Sequence, residues 1–275
     1  MVLDFNGISF EDRHLFDGFE YLCSDYIFSY IYMYSDLYKL KLYHDDRTVI
    51  ISQSVNSPVF YVPLGDTEYG VKLVVDYCKA LGLAPIFVKV TEKYFELFDE
   101  FKFKLKEDRN SFDYVFKNSD LASYKGKKYR KQRNNLSNYL RTVRATYTDD
   151  IYNHIDECKA FTYKFYNNRK EIYNPTIKIL GRAVDLGCRG GIVWDGPSIQ
   201  GYCIYESISK DTALSHVELT DNTERGVHSF MIKNVSSDID EDYINKEDDM
   251  GLPGLRRFKE SYSPCFMIKK YIASK

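Results

Sequence analysis

One succession of hydrophobic periodicities runs through this chain twice, and it leaves few folds open. In the first pass, Glu11 to Tyr34 reads as two helices, with Leu15, Phe16, Phe19 and Leu22 on one face and Tyr26, Ile27, Tyr30 and Tyr34 on the next. Strands follow at 38–43, 48–52 and 59–62, the first two separated by the turn His44-Asp45-Asp46. Thr67 caps a helix whose face is Val71, Val74, Val75 and Cys78. A strand at 86–90, a short helix at 91–98 and a strand at 101–105 complete the pass. In the second pass, a strand at 141–147 leads to helices at 151–165 and 175–188. A hairpin of 191–194 and 199–206 turns across Asp195-Gly196-Pro197. A strand at 212–220, a helix from Gly226 to Val235, a strand from Tyr243, a helix opened by Pro253 and a strand at 266–272 follow. The first pass lacks an opening strand. Identity between the passes is negligible, so what repeats is architecture. The implied class is α+β: two mixed-sheet domains flanked by helices, at 1–112 and 141–275, joined by a long basic helical segment at 113–140.

A chain that is 44% hydrophobic and 28% charged builds packed cores and is not globally disordered. With 25 Tyr and 18 Phe, those cores are largely aromatic, and many phenols need partners. The net charge of −2 excludes a polyanion binder acting through overall charge, so any such surface is local. Cys23, Cys78, Cys158, Cys188, Cys203 and Cys265 form no CxxC pair, and no histidine stands at zinc-ligand spacing to them. Reduced structural thiols, no metal and a cytoplasmic location are expected. Met1 to His14 has no signal-peptide pattern. The most apolar run, Tyr26 to Tyr34, falls short of the ~20 residues a spanning helix needs, so a soluble protein without an integral membrane segment is expected.

The most informative stretch is Tyr243 to Tyr262. Tyr243, Asn245 and Glu247 alternate onto one face of a strand that Asp248, Asp249 and Gly251 stop. On the helix after Pro253, Leu255, Phe258 and Tyr262 share a core face, with Arg256 and Lys259 as a basic stripe beside it. Carboxylates at a strand end beside a basic helix suit an anionic substrate and a proton transfer. An acidic turn ahead of a solvated helix has the same spacing. The run Asn245-x-Glu247-Asp248-Asp249-Met250-Gly251, followed by Gly254-Leu255-Arg256-x-x-Lys259-x-x-Tyr262-x-Pro264, resembles the C-terminal signature of the phosphatidylglycerol lysyltransferase C-terminal-domain-like family. The resemblance implies two acetyltransferase-like (GNAT-like) folds in tandem, for which the repeated order of elements is the expected one. That family includes aminoacyl-tRNA-dependent transferases.

Two further constellations bear on chemistry. Between Lys125 and Arg144 lie eight Lys or Arg and no acidic residue, while Leu136, Tyr139, Leu140 and Val143 give the distal part an apolar face. Such a single-sign helix attracts phosphate, whether of tRNA, an anionic lipid head or a nucleotide cofactor. The segment resembles the Lys/Arg-rich helix of the family, which implies Lys128, Arg133 and Asn134 as substrate-facing. In His216-Val-Glu218-Leu-Thr220-Asp221, alternation places His216, Glu218 and Thr220 on one face. This pattern also resembles the family's, ahead of the helix at Gly226. In acetyltransferase-like folds this strand and the one at Tyr243 splay apart, and the helix start offers N–H groups to a phosphate. The approach Asn222-Thr-Glu-Arg225-Gly226 supplies Arg225 and Gly226 for a donor phosphate. It lacks the Gly-rich turn usual in users of acetyl-coenzyme A, which favours aminoacyl-tRNA as donor over acyl-coenzyme A.

The expected function is a soluble transferase that moves an aminoacyl or acyl group to an amine or hydroxyl of a small molecule, lipid head or peptide by direct attack. Glu218 or Glu247 would accept the proton and Tyr262 would protonate the leaving oxygen. His216, Asn245, Arg256 and Lys259 would bind substrate. Two alternatives share the fold: a polyanion- or tRNA-binding module without catalysis, and a peptidoglycan-precursor aminoacyltransferase.

Overall fold

The structure is a computed structural model that describes residues 3–21, 23–53, 59–221 and 225–275. Leu22, placed above on a helical face, and Asn222 to Glu224, read as the approach to Gly226, lie outside the described residues. Contacts divide the chain into two compact units, Met1–Phe112 with Ile268–Lys275, and Asp113–Met267.

The first unit opens with β1 (Asn6–Gly7), 3-10 turns at Phe10–Phe16 and Ser24–Tyr26, and α1 (Phe28–Tyr38). Next come β2 (Leu40–His44), β3 (Thr48–Gln53), β4 (Val59–Tyr61), β5 (Leu64–Gly65) and α2 (Thr67–Ala80). β6 (Ile86–Val90), α3 (Phe95–Glu100) and β7 (Lys104–Glu107) follow. The second unit holds β8 (Asp113–Lys117), α4 (Asn118–Ser123), α5 (Arg130–Thr142), β9 (Ala145–Thr148), α6 (Ile155–Tyr166), α7 (Lys170–Leu180) and α8 (Ala183–Leu186). It continues through β10 (Arg189–Asp195), β11 (Ser198–Ser207), β12 (Thr212–Thr220), α9 (Val227–Asp238), β13 (Tyr243–Asn245), α10 (Pro253–Ser261) and β14 (Phe266–Ile268). The last strand, β15 (Tyr271–Ser274), returns to the first unit.

Among the described residues the first sheet has the order β1-β2-β3-β4-β6-β15-β7, with β5 on β3, and the second β14-β8-β13-β12-β11-β10-β9. The first sheet is an antiparallel run interrupted by one parallel pair, β4 with β6, and from β8 to β9 the second is likewise antiparallel except for β12 with β13. The opening strand missing from the first pass is β1, whose two residues are too few to show a period. The first helix expected in 11–34 is a 3-10 run, and the cap of α2 is Asp66, whose carboxylate accepts from the Tyr69 N–H at 3.1 Å. Residues 113–117, read as helical, are β8. Four of its five residues are buried, so no alternation marks it. The closing strand expected at 266–272 is two strands, one in each sheet, with β15 between β6 and β7.

Aromatic rings fill the first core: Phe87 packs on Phe98 at 5.1 Å and on Phe103 at 5.4 Å between centroids. In the second unit α4, α5 and α9 cover one sheet face, burying Tyr114, Phe116, Tyr139, Cys203, Tyr205 and Met231 together. α6 covers the other face, where the Tyr202 and Thr162 hydroxyls meet at 2.5 Å and the Tyr166 hydroxyl donates to the Thr220 carbonyl at 2.6 Å. Both of these buried phenols are thus partnered, as the desolvation of an O–H requires.

Candidate active site

The parallel pair in the second sheet is short. β12 and β13 match only at Thr212↔Tyr243, Ala213↔Ile244 and Leu214↔Asn245, after which β12 runs on to Thr220 while the other chain turns away. Local chemistry drives both departures. On β12, Val217 lies opposite Ile204 and Ser215 opposite Tyr205, so His216 is the extra residue of a β-bulge. That bulge corrects the alternation expected from sequence: Ser215 and Glu218 meet, Oγ donating to Oε1 at 2.8 Å, while His216 reaches other partners. After β13, Glu247 and Met250 adopt left-handed φ values of 58° and 50°, an unfavourable conformation for side-chain-bearing residues.

The signature residues hold that turn in place. Asn245 donates to Asp113 at 3.0 Å and accepts from the Glu247 N–H at 2.8 Å. Asp249, fully buried, takes a fork from Arg256, Nε to Oδ2 at 2.7 Å and Nη2 to Oδ1 at 3.0 Å, and a hydrogen bond from the Tyr114 hydroxyl at 2.5 Å. Lys259 donates to the carbonyls of Lys246, at 2.5 Å, Glu247, at 3.3 Å, and Asp248. Arg256 and Lys259, expected to meet substrate phosphate, are committed to the protein's own turn.

His216 lies fully buried between two carboxylates, Nε2 to Glu206 at 2.7 Å and Nδ1 to Glu247 at 3.1 Å. Burial opposes its charge, but the two carboxylates outweigh it and push its pKa up to about 9. Burial raises Glu247 above the usual carboxylate range, against the pull of His216 and Lys259. Because the folded pKa of His216 exceeds the unfolded one, its contribution is complete below about pH 6.5 and is lost as pH rises through about 9. Melting temperature is therefore expected to fall between pH 7 and 10. His216→Gln should lower stability by on the order of 3 kcal/mol at neutral pH and flatten that slope. An unchanged slope would exclude His216 as the titrating group.

Glu218 sits where the strands part. Its carboxylate pairs with Lys246, accepts from Ser215, and lies 3.3 Å from His228 Nε2. Burial would raise its pKa, yet Lys246 and His228 hold it well below the usual carboxylate range. An ionised carboxylate only accepts, so His228 must carry its proton on Nε2, leaving the Nδ1 lone pair free to accept. The Tyr262 hydroxyl lies 3.3 Å from that Nδ1 and 3.2 Å from Ser229 Oγ. Burial lowers the pKa of His228, with Lys246 adding to the effect against Glu218, and burial lifts Tyr262 to about 12. At neutral pH the arrangement reads carboxylate, neutral imidazole, neutral phenol. Of the residues singled out from sequence it unites Glu218 and Tyr262. His228, Lys246 and Ser229 were not singled out; two adjacent polar residues between the apolar Val227 and Phe230-Met231-Ile232 of α9 were the available sign.

The basic segment lies elsewhere in the second unit. All eight of its cations are exposed, as is Asn134. Lys128 pairs with Asp120 at 2.8 Å, and Arg133 donates to the carbonyls of Tyr124 at 2.5 Å and Gly126 at 2.7 Å. Leu140, assigned above to the packed face, is 49% exposed. It lines a cleft of about 490 Å³ with Arg133, Arg141 and Lys233. Arg225 is exposed, and Gly226 caps α9 at φ 108° with α5 against it. A Cβ there would overlap the Asn135 carbonyl. Gly226→Ala is expected to cost about 2 kcal/mol or more, read as a lower denaturant midpoint, because the left-handed φ and the overlap act together.

Residues 19–274 match the family described as phosphatidylglycerol lysyltransferase, C-terminal. No curated protein matches the chain. Among solved structures, it is similar to a conserved protein of unknown function from Bacteroides thetaiotaomicron VPI-5482, with 24% identity and a TM-score of 0.86 over 99% of either chain. It is similar to L-PGS from Bacillus licheniformis, with 12% identity and a TM-score of 0.63 over 86% of this chain and 84% of that one. FemX shares 10% identity and a TM-score of 0.57 over 98% of this chain and 97% of its own. Likeness at these identities is one of fold, and the fold is tandem GNAT-like. Among the described residues no helix is long and apolar enough to cross a membrane.

Proposed function

The chain belongs to the phosphatidylglycerol lysyltransferase C-terminal family, and on that premise we propose that it is an acyltransferase that moves an aminoacyl group from aminoacyl-tRNA to an amine or hydroxyl acceptor. The observation that carries this reading is the Glu218–His228–Tyr262 chain at the point where β12 and β13 separate. The acceptor nitrogen or oxygen attacks the ester carbonyl, and the bond from that carbon to the ribose oxygen breaks. The acceptor's proton passes to His228 Nδ1, directly or through the Tyr262 hydroxyl, and is returned to the leaving ribose oxygen. Glu218, bound to Nε2–H, stabilises the imidazolium in between, a positioning role in place of the base role expected from sequence. His216 and Glu247 support the turn that carries this geometry.

The exposed cations of α5 and the turn before it suit tRNA phosphates. The approach to Gly226 lacks the Gly-rich turn usual in users of acetyl-coenzyme A, which favours a tRNA donor. The test supplies a labelled pool of aminoacyl-tRNAs, or acyl-coenzyme A, together with amine, lipid-head and peptide acceptors. Transfer from tRNA supports the proposal. Transfer only from coenzyme A overturns the donor, and salt-sensitive tRNA binding without any transfer marks a binding module.

A further inference from the structure

Two histidines of the second unit stand against carboxylates, in opposite electrostatic settings. His216 meets Glu206 and Glu247, and among the described residues no lysine or arginine pairs with either carboxylate. His228 meets Glu218 alone, and that carboxylate carries Lys246 on its other oxygen. We propose that Lys246 is a positioning residue for the transfer: by holding Glu218 it fixes the tautomer of His228 and keeps the imidazole uncharged, so that the base is ready at neutral pH. The inference rests on the acyl-transfer reading for the use made of His228, and its test reads the imidazole without transfer.

A carboxylate beside a desolvated imidazole favours the imidazolium, as at His216, whose pKa is pushed up to about 9. A base that already holds its proton cannot accept another. At Glu218 the Lys246 ammonium and the Ser215 hydroxyl, at 2.8 Å, both take Oε1, which leaves Oε2 for His228 Nε2 at 3.3 Å. Lys246 is itself fixed. Its N–H donates to the Tyr114 carbonyl at 2.9 Å, and its own carbonyl accepts from Lys259 at 2.5 Å. Its ammonium lies 5.8 Å from the Phe116 ring centre and 5.9 Å from that of Tyr262, within reach of both π faces. At 8% exposure, little solvent screens it. The other groups facing His228 are uncharged: the Phe258 ring of α10 at 4.5 Å, the Tyr262 phenol at the end of that helix, and Ser229 beside it, with Tyr124 from the end of α4 packed on Tyr262. Lys259 of α10 also feels the Glu218 charge, but its ammonium is engaged by the carbonyls of the turn. One anion and one cation thus offset each other at the imidazole, and burial tips it to the neutral form. Lys246 fills the open position of the Asn245-x-Glu247 run, so this control is not part of the signature.

The experiment follows the ring signals of isotope-labelled histidine in the whole protein by NMR as pH is varied, with His228→Gln identifying the signal among the five histidines. Wild-type His228 should titrate below the ordinary value of about 6.5 and, when neutral, carry its proton on Nε2. Lys246→Met should raise its proton affinity at least about tenfold and move the rise of the transfer rate to higher pH by the same factor. Lys246→Arg, which keeps the charge, should restore the wild-type titration. If Lys246→Met does not fold, Lys246→Gln, which drops the charge and keeps a donor for Glu218, should give the same rise. A wild-type His228 that titrates at or above the ordinary value overturns the inference, as does an unchanged titration in a folded variant without the charge. Absence of transfer from every donor, with the titration shifted as expected, overturns acyl transfer and leaves the control of His228 by Lys246 standing, so the two readings fail separately.

Discussion

His228→Ala is expected to lower the transfer rate by a factor of ~10² to 10⁴, the range removed with a positioned general base. Glu218 is ionised and ion-paired, which makes it a weak base, whereas His228 is neutral, partly accessible and aimed through Nδ1 at a phenol. Because burial places its pKa below the ordinary histidine value, the wild-type rate should rise with pH through that lowered pKa and be level by neutrality. Glu218→Gln should keep part of the activity, since a glutamine oxygen still accepts from Nε2–H, and should shift that pH profile, because the charge that stabilises the imidazolium is gone. Transfer by a folded His228→Ala at the wild-type rate would remove His228 from the mechanism. A Glu218→Gln profile that coincides with the wild type would remove Glu218 from its positioning role.

Asp25→Ala is expected to destabilise the first unit by about 3–5 kcal/mol, the cost of leaving buried charge without its partner. Asp25 and Lys270 are both fully buried and paired, and Lys89 reaches the other carboxylate oxygen at 2.8 Å. Removing the carboxylate abandons two ammonium groups. Lys270→Met removes one cation and leaves Asp25 with Lys89, so its loss should be smaller. Burial would raise the Asp25 pKa, but the two lysines outweigh it and bring it down to about 2. This stabilisation is present above the unfolded carboxylate value of ~3.9 and is lost as pH falls toward 2. Denaturant curves at pH 7 and pH 3 check both statements. A folded Asp25→Ala with the wild-type midpoint at pH 7 would show the cluster to be neutral in energy.

What could be read from sequence and what could not divides along physical lines. β6 and β12 stand at the predicted residues because each has enough residues to show its pattern and is bounded by turn formers. β1, β8 and β15 were missed or misassigned because their pairing is long-range: β8 meets β13 more than a hundred residues away, and no local period announces that. At the site, Glu218 and Tyr262 were singled out, since a charge on a central strand and a phenol on a helix's core face stand out in one dimension. Lys246 and His228 did not stand out. Their chemistry exists only where a strand end meets the start of another helix, and the bulge at His216 redirects side chains that strict alternation would have placed otherwise.

The position of β15 bears on how the protein comes into being. Among the described residues β7 finds its neighbour only in β15, which follows it in sequence after the entire second unit. On the ribosome the amino-terminal sheet therefore stays cleft, with the facing edges of β6 and β7 unsheathed, until β15 has been made. At ~5–20 residues per second that interval is roughly ten to thirty seconds. Birth order and maturation order are thus reversed for these two units: the one begun first is completed after the other has been made, and a nascent-chain chaperone would find its open edge throughout the wait.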